Sequence, residues 1–428
     1  MKRIYINNLE ENKNSKIAGF VEKLRDTKYM VFIILKDITG TIQVSIEKEG
    51  NEALTEKALG APIGSVIEVI GEMHYSEYVK NGGKEFIPED IIITSVAAPS
   101  PIEDNANIDT RLDYRFIDLR SERNTLIFKV QSALVKYMRE YLYNNNFMEI
   151  HTPKLIGTAS ESGSEVFEVK YFDRLAYLAQ SPQFYKQMAM ASGFDRIFEV
   201  GPCFRAENSN TNRHTTEFTC FDLEMSYIES YEDVMNLEQD MLTYALKKVK
   251  EEYGEEIKNT FDKEILVPEA KFPRIKLNDL YDILEEKYGY VTETRLDLTT
   301  EAERLAGRYA LEEHNCEFIF VTGFPADKRA FYHMRDESGE LLGYDLIWKG
   351  VEITTGAQRE HRYDILQKQA KEKGLDKDVE FYLEFFKYGC PQHGGFGLGV
   401  DRLTMLLLGI ESIKEAMFIF RGPNRLNP

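Results

Sequence analysis

The chain has 428 residues, 43% of them hydrophobic, which is too long for one ordinary domain and enough for two or three packed cores. Its formal net charge of −19 excludes a uniformly basic nucleic-acid-binding protein, but the first hundred residues hold 12 Lys or Arg against 15 Asp or Glu, so a local basic face for RNA stays possible. The four cysteines include no CxxC pair, which predicts buried free thiols rather than a disulfide framework or a zinc knuckle. No apolar run is long enough to span a bilayer and the first residues are polar, so we predict a cytoplasmic protein without a signal peptide or membrane segment.

The first hundred residues contain short β-rich runs separated by Gly, Asp and Asn turns. The predicted strands span 16–24, 30–36, 41–46, 65–75 and 91–96. Five short strands favour a small closed barrel of the OB-fold type over residues 1–98, a fold whose aromatic-bearing face commonly binds single-stranded nucleic acid. A generic small β-domain is the alternative.

The middle of the chain begins with a proline-rich and then polar segment, 99–125, which we interpret as a linker or hinge. Apolar residues at helical spacing predict an amphipathic helix over 126–145, followed by a strand in FMEIHTPKL. Pro153 cannot donate to a strand ladder, so that strand is expected at an edge or interface. Residues 229–300 are predicted to be a mostly helical insertion, to which we assign no chemistry.

The stretch FRAENSNTNRHTTEFTCFDLEM, residues 204–225, combines arginines, a histidine, carboxylates and aromatic residues within a polar loop. A guanidinium binds phosphate oxygens in bidentate fashion and an aromatic ring stacks on a purine, so this composition indicates a nucleotide site. Taken alone, the stretch is also compatible with a solvated charged loop.

A second group of polar residues lies in LAQSPQFYKQM, residues 178–188. If the QSP turn leads into a helix, Gln183 and Lys186 share one helical face, with Gln180 and Ser181 just before it. A buried lysine among amides needs an anion, so a small carboxylate ligand is the natural partner of Lys186. The alternative is a solvated surface lysine.

A third group lies in YDLIWKGVEITTGAQREHR, residues 344–362. Asp345 and Glu352 suit two adjacent antiparallel strands or one bulged strand, and with Thr355 they offer the oxygen ligands that Mg²⁺ prefers. Arg359 follows where its guanidinium can reach a second carboxylate. In isolation this segment is equally compatible with an ordinary charged hairpin.

The fourth group, HGGFGLGVDRLTMLLLG at residues 393–409, has glycines that allow close backbone approach and leads into an apolar helix. Arg402 lies at the start of that helix, where anions are favoured. The glycine spacing is not GxGxxG and no strand is expected before it, which disfavours a dinucleotide-binding loop.

These motifs, in this order, resemble motifs 1, 2 and 3 of the class II aminoacyl-tRNA synthetases, and QSPQFYKQ and GAQREHR resemble the aspartyl-tRNA synthetases, most closely the archaeal and eukaryotic type. The resemblance covers essentially the whole chain. It implies an α+β fold in which an OB-fold anticodon-binding barrel precedes a catalytic domain, residues 126–428, built on an antiparallel sheet flanked by helices. It also implies a homodimer whose twofold interface is formed by motif 1, including the apolar face around Val130, Leu134 and Met138.

The resemblance further implies that ATP is a substrate, that Mg²⁺ is a cofactor and that L-aspartate and tRNA(Asp) are partners. Arg205, Arg402 and Glu352 would be the catalytic residues, and Asp345, Glu352 and Thr355 would hold the metal. The implied ATP-binding residues are Arg205, Ala206, Glu207, Arg213, His214, Thr215, Phe218, Glu352, Val400, Asp401, Arg402 and Leu403. The implied aspartate-binding residues are Glu161, Ser181, Gln183, Phe184, Tyr185, Lys186, Arg205, Asp222, Thr355 and Arg359.

In the barrel, Phe32 and Gln43 match family positions that read the anticodon by stacking and base-edge hydrogen bonds, and Arg25 is a nearby candidate. Phe20 stands where many relatives have tryptophan and Asp401 where close relatives often have glutamate, which affects the type of tRNA recognition rather than the reaction. Whether tRNA(Asn) is also charged stays open. Two other functions are weighed: an asparaginyl-tRNA synthetase, disfavoured by Lys186 beside Arg359, and a catalytically retired RNA-binding paralogue, disfavoured by the complete set of ATP-site residues.

Overall fold

The computed structural model describes residues 1–79, 82–103, 105–158, 165–209, 211–326 and 329–428. The chain divides into two compact units, Met1–Leu119 and Arg120–Pro428, which are treated separately below.

The first unit is a closed five-stranded barrel with the strand order β1-β2-β3-β5-β4. Its elements are β1 (Ser15–Asp26), β2 (Met30–Lys36), β3 (Thr41–Glu47), α1 (Glu52–Leu59), β4 (Val66–Tyr75) and β5 (Lys84–Ser95), after a 3-10 turn at Ile6–Asn8. Residues alternate along β2, where Val31, Ile33 and Leu35 are fully buried while their neighbours face outward. The predicted five-stranded OB-fold barrel is confirmed.

Strand β5 is longer than predicted, because it begins at Lys84 and not near residue 91. Pro88 lies within it, opposite Gly71, at a point where the pairing with β4 shifts register. A Cβ at Gly71 would lie 2.1 Å from the Ile87 carbonyl oxygen, so the glycine permits the irregular pairing that accommodates the proline.

The segment predicted as a linker contains two short helices, α2 (Ile108–Asp113) and α3 (Arg115–Asp118). The long helix α4 (Glu122–Asn144) begins four residues before the predicted start. Its N-terminus is set by Ser121, whose hydroxyl accepts a hydrogen bond from the Asn124 backbone N–H at 3.2 Å.

The second unit is built on an eight-stranded sheet with the order β12-β13-β14-β15-β16-β11-β10-β6. Its strands are β6 (Met148–Glu149), β10 (Arg196–Phe204), β11 (Glu217–Ser226), β12 (Arg274–Lys276), β13 (Phe318–Thr322), β14 (Gly343–Trp348), β15 (Val351–Gln358) and β16 (His393–Gly399). The six central strands are antiparallel, as predicted, but the short edge strands β6 and β12 run parallel to their neighbours. A second, small sheet has the order β7-β9-β8 and consists of β7 (Leu155–Ile156), β8 (Glu168–Tyr171) and β9 (Arg174–Leu178).

Helices flank this sheet and complete the α+β fold. They are α4, α5 (Gln183–Ala191), α6 (Tyr231–Phe261), α7 (Leu277–Tyr288), α8 (Thr300–His314), α9 (Tyr363–Glu372), α10 (Glu380–Glu384), α11 (Val400–Leu408) and α12 (Ile413–Ala416), with a 3-10 turn at Phe385–Tyr388. None of the helices in the described ranges is long and apolar enough to cross a membrane.

The apolar faces of α4 and α6 belong to one core with the sheet and α11. Val130, Leu134 and Met138 of α4 are fully buried there, in the same cluster as Met241 and Leu242 of α6. The prediction that these three residues face a partner subunit is therefore wrong, because an apolar helical stripe does not distinguish a chain's own core from a subunit interface. Helix α6, within the predicted insertion, is an integral layer of this core.

Strand β16 contains the glycines that were predicted to follow a loop. Its glycines allow close approach to β11: a Cβ at Gly395 would lie 2.1 Å from the Leu223 carbonyl oxygen, and one at Gly397 would lie 2.9 Å from Asp222 Oδ1. Four glycines within seven residues are unusual in a strand, which is why the sequence pattern did not predict β16. Their absent side chains make room for buried carboxylates.

We predict that Gly395→Ala destabilises the second unit by about 3 kcal/mol or more, because the new methyl group meets backbone that cannot move without breaking the β11–β16 pairing. The matched control is Gly254→Ala in the middle of α6, where the added Cβ meets only Lys250 Cγ at 3.4 Å. This variant should gain about 0.5–1 kcal/mol, since alanine favours the helix. Thermal unfolding of the full chain measures both changes, and equal melting temperatures for the two variants would contradict the close-approach argument.

Candidate active site

A cavity of about 320 Å³ opens over strands β11, β15 and β16 of the second unit. Lys186 and Gln183 reach it from the first turns of α5, because the QSP turn does lead into a helix. The other lining residues that sequence reasoning selected are Ser181, Arg205, Glu207, Arg213, His214, Thr215, Phe218, Asp222, Glu352, Thr355, Arg359, Asp401 and Arg402. Four separate sequence motifs thus meet in one site.

One end of the cavity contains a buried network of ion pairs. Lys186 Nζ lies 3.1 Å from Asp222 Oδ1 and 3.4 Å from Glu224 Oε2, and it donates to the Phe396 carbonyl oxygen at 3.2 Å. Arg359 Nε donates to Glu224 Oε1 at 3.0 Å. The side chains of both cations are at most 3% exposed, so they are held away from bulk water.

Glu224 is the common partner of both cations and is itself fully buried. Burial alone would raise the pKa of Glu224, but the charges of Arg359 and Lys186 outweigh it, so the pKa is lowered. Arg359 Nη2 also donates to the Gly395 carbonyl oxygen at 2.8 Å, and its guanidinium carbon lies 5.6 Å from the centre of the Tyr332 ring. This end of the cavity therefore presents two buried cationic donors, each paired with Glu224.

Asp222 contributes one further feature to this network. Its Oδ1 pairs with Lys186, while its Oδ2 is buried without a hydrogen-bond partner. A buried carboxylate oxygen without a partner is uncommon and marks a place where a ligand donor is expected.

Hydrogen bonds among two amides and a neutral histidine hold the first turns of α5 in place. Gln183 Nε2 donates to Gln187 Oε1 at 2.7 Å, which also accepts from the Tyr382 hydroxyl at 3.0 Å. The Gln187 amide nitrogen lies 2.9 Å from His393 Nε2, and His393 Nδ1 lies 2.8 Å from the Pro391 carbonyl oxygen. Burial lowers the pKa of His393 to about 4, so the ring is neutral at pH 7 and adds no charge to the pocket.

The other end of the cavity carries arginines suited to a polyphosphate. The guanidinium carbon of Arg205 lies 5.4 Å from the centre of the Phe218 ring. Arg213 Nη1 lies 3.6 Å from Glu303 Oε2, and Arg402 Nη1 donates to the Glu352 carbonyl oxygen at 2.8 Å. Arginines aimed into an open, partly exposed cavity beside an aromatic ring match the chemistry of a nucleotide.

The predicted metal ligands lie on the hairpin β14–β15, where Asp345 is directly opposite Thr355. Thr355 Oγ1 donates to Glu352 Oε1 at 3.1 Å, while Asp345 is held by Arg329, with Nη2 2.6 Å from Oδ2 and Nη1 3.1 Å from Oδ1. Burial raises the pKa of Asp345 to about 7; Arg329 opposes this shift and the charge of Glu352 adds to it. Hard oxygen donors that repel one another fit a divalent cation such as Mg²⁺.

Some predicted residues lie elsewhere. Val400 and Leu403 are buried in the main core, so only their backbone is available to a nucleotide, and Phe184 packs in a separate cluster with Phe331 and Tyr382. Asp345, Ala206 and Tyr185 are outside the cavity lining, and the Ala206 N–H donates to the Glu165 carbonyl oxygen at 2.9 Å. Glu161 lies outside the described residues.

Several site residues were not found from the sequence. Glu224 follows Asp222 by two positions on the same face of β11, a period-two signal that was available. Glu303, Arg329 and Tyr332 come from segments without a recognisable motif. The Glu303 carboxylate accepts a hydrogen bond from the Glu352 backbone N–H at 3.0 Å, so helix α8 supports the hairpin that carries the predicted metal ligands.

In the barrel unit, the three predicted recognition residues lie on adjacent strands. Arg25 pairs with Phe32, and its guanidinium carbon lies 5.5 Å from the ring centre. Phe32 is opposite Ser45, whose hydroxyl accepts from Gln43 Nε2 at 3.0 Å. Since Gln43 and Ser45 share one face of β3, the three side chains form one outward-facing cluster.

Comparison with known proteins gives a consistent set of relatives. The family model described as "tRNA synthetases class II (D, K and N)" matches residues 107–420, and the one described as "OB-fold nucleic acid binding domain" matches residues 16–94. The aspartate–tRNA(Asp/Asn) ligase of Methanopyrus kandleri is 42% identical over 98% of this chain and 97% of its own, and the aspartate–tRNA(Asp) ligase of Pyrococcus horikoshii is 41% identical over 99% of each.

Two solved structures share the whole architecture. Asparaginyl-tRNA synthetase from Pyrococcus horikoshii, complexed with asparaginyl-adenylate, has a TM-score of 0.92 at 32% identity and covers 100% of both chains. Aspartyl-tRNA synthetase from Entamoeba histolytica has a TM-score of 0.87 at 31% identity and covers 100% of this chain and 93% of its own.

We predict that Glu224→Gln lowers the melting temperature at pH 7, because it leaves two buried cations without a compensating charge, a loss of about 3–5 kcal/mol. The pKa of Glu224 is lowered by folding, so its contribution is present above the ordinary value of 4.5 and is lost as pH falls through the folded pKa. The gap in melting temperature between the native chain and the variant should therefore narrow as pH falls below 4.5. A gap independent of pH would show that packing, not charge, explains the effect.

Proposed function

The chain belongs to the class II tRNA synthetases of the D, K and N group, and within that family we propose that it is an aspartate–tRNA ligase. It uses ATP to activate L-aspartate as aspartyl-adenylate and transfers the aspartyl group to the 3′ end of tRNA(Asp), with tRNA(Asn) as the second candidate acceptor. The observation that carries this proposal is the pair of buried cations, Lys186 and Arg359, at one end of the cavity.

These cations match the side-chain carboxylate of aspartate. A neutral amide would place an NH₂ group against donors that cannot accept a hydrogen bond, and this penalty can support discrimination of about 10⁴ or more. The unpaired Asp222 Oδ2 is the natural acceptor for the α-ammonium group of the same substrate. The relatives named as aspartate–tRNA ligases, about 40% identical over nearly the whole chain, support the same substrate.

The reaction needs no protein nucleophile. The α-carboxylate of aspartate attacks the α-phosphorus of ATP, pyrophosphate leaves, and a hydroxyl of the tRNA 3′-terminal adenosine then takes the aspartyl group from AMP. Arg205 neutralises charge where the carboxylate and the α-phosphate meet, and Phe218 and Glu207 hold the adenine. Arg213, His214 and Arg402 face the leaving pyrophosphate, and holding two anions in line contributes up to about 7–11 kcal/mol.

Glu352 and Thr355, with Asp345 behind them, would hold Mg²⁺, which neutralises phosphate charge when bound. Arg329 lines the same cavity and pairs with Asp345 at 2.6 Å. It therefore competes with a metal ion for the Asp345 carboxylate. Glu303 supports Glu352 through its backbone N–H.

Asparagine activation is the second candidate function, favoured by the TM-score of 0.92 with asparaginyl-tRNA synthetase. The fold is common to both enzymes, so the charge of the pocket decides between them. A retired RNA-binding paralogue would tolerate loss of the ATP site, yet Arg205, Glu207, Glu352 and Arg402 all line the cavity.

We predict that Lys186→Met lowers kcat/KM for aspartate at least tenfold in aspartate-dependent pyrophosphate exchange and leaves the KM for ATP nearly unchanged. The methionine keeps the volume but removes the charge that meets the substrate carboxylate. Lys250→Met on the exposed face of α6 is the matched control and should behave as the native enzyme. A loss of less than tenfold would reject the aspartate pocket and favour the asparagine function.

A second prediction concerns tRNA. Phe32→Ala removes one base-stacking surface, worth about 1–3 kcal/mol, so tRNA charging should weaken by the corresponding factor while pyrophosphate exchange stays intact. Ile63→Ala, an exposed apolar residue between α1 and β4, serves as the barrel control. Equal losses in both assays would indicate a folding defect or a wrong assignment of Phe32.

A third prediction concerns assembly. Exposed apolar side chains on β6, on the small sheet and in the turn between β8 and β9 favour a homodimer; they are Met148, Leu155, Leu175 and Phe172. Leu175→Glu should shift the sedimentation coefficient towards the monomer, whereas Leu311→Glu, on the exposed side of α8, should not. A native chain that sediments as a fully active monomer at micromolar concentration would reject the dimer.

A further inference from the structure

Two cysteines and an aspartate meet on the face of the sheet that lines the cavity. Cys203 on β10 is 1% exposed, Cys220 on β11 is 8% exposed and Asp222 is 3% exposed. One ligand atom from each, the two Sγ atoms and a carboxylate oxygen, lies within 4.8 Å of the others.

The strand register explains this meeting. Cys220 and Asp222 are two residues apart on β11, so their side chains point to the same face. Cys220 is directly opposite Gly201, and Cys203 follows that glycine by two positions, which puts its thiol on the same face and diagonal to Cys220. A sequence search for paired CxxC ligands does not detect such a site, because its cysteines come from two strands.

The geometry is close to that of a tetrahedral zinc site. With Zn–S bonds of about 2.3 Å, two thiolates on one ion lie about 3.8 Å apart, so the three ligand atoms need to move by about 1 Å or less. Asp222 Oδ2, which is buried without a hydrogen-bond partner, supplies an independent sign of an unmet ligand at this place.

We propose that Cys203, Cys220 and Asp222 form an inhibitory site for a thiophilic divalent cation of the zinc class. Three protein ligands leave a fourth position, and it faces the cavity, because Cys220 and Asp222 line the cavity. An ion there takes the carboxylate that otherwise pairs with Lys186 and, on the proposed function, meets the substrate ammonium group. Bound metal and bound aspartate should therefore exclude each other.

The binding step releases two protons: M²⁺ displaces one proton from each thiol, and the carboxylate binds as it is. A hydrogen bond with Cys203 and burial both raise the pKa of the Cys220 thiol, so metal must compete with protons and binds more weakly as pH falls. Sulfur ligands also separate this site from the Asp345, Glu352 and Thr355 group, whose oxygen donors favour Mg²⁺.

The direct test is metal binding to the reduced, metal-free full chain in saturating Mg²⁺ and without substrates. Titration with Cd²⁺ should give the ultraviolet absorbance of cadmium–thiolate bonds with one ion per chain, and Zn²⁺ should displace it. Cys203→Ser should lower the affinity at least a hundredfold. Cys316→Ala, another buried thiol of the same unit, is the matched control and should leave the binding unchanged.

Activity gives the second readout. Zn²⁺ should inhibit pyrophosphate exchange competitively with aspartate, and a chelator should reverse the inhibition. Cys203→Ser, whose side chain does not line the cavity, should keep its basal rate and lose the inhibition.

Two results would overturn the proposal. Cadmium–thiolate absorbance that survives in Cys203→Ser but disappears in Cys390→Ala would move the site to Cys390 and His393. Absence of thiolate absorbance in the native chain would also overturn it, and because binding is measured without aspartate, either result leaves the proposed enzyme function untouched.

Discussion

The contact between Glu224 and the two cations Lys186 and Arg359 is the constraint on which the site depends. An unpaired charge in a closed pocket costs several kcal/mol, and here two positive charges have to remain available to a substrate. Glu224, fully buried between them, compensates both positive charges, and Asp222 supplies a second negative charge beside Lys186. The two cations and two carboxylates at this end of the cavity have no net charge together. On the proposed function, a substrate is therefore selected by the positions of its charged groups.

The backbone of the sheet makes room for these buried charges and binds them. Glycines of β16 leave space for Glu224 and Asp222. Carbonyl oxygens of the same strand accept hydrogen bonds from the cations, that of Phe396 from Lys186 and that of Gly395 from Arg359. The neutral His393 and the Gln183–Gln187 pair hold the start of α5 without adding charge. Packing, register and electrostatics therefore cannot be altered independently along β11 and β16.

The short β-rich runs were sufficient to predict the barrel, and the family resemblance carried by the motifs was sufficient to predict the antiparallel core of the sheet and most of the cavity lining. The remainder depends on contacts between distant segments. Glu303 and Arg329 reach the hairpin of Glu352 and Asp345 from regions with no pattern of their own. The resemblance to motif 1 placed Leu134 at a subunit interface when it belongs to the core, and the glycines of β16 do not indicate a strand until the partner strand is known.

The outward cluster of Phe32, Arg25 and Gln43 has a consequence for how a polyanion approaches this protein. The chain as a whole carries −19, so its long-range field repels RNA, and encounter gains little from electrostatic steering. On the proposed function, this cluster recognises RNA through contacts made at short range, an aromatic face and one guanidinium packed against it. Such contacts would release few counterions, so we expect the proposed RNA binding to be less sensitive to ionic strength than that of a basic RNA-binding domain.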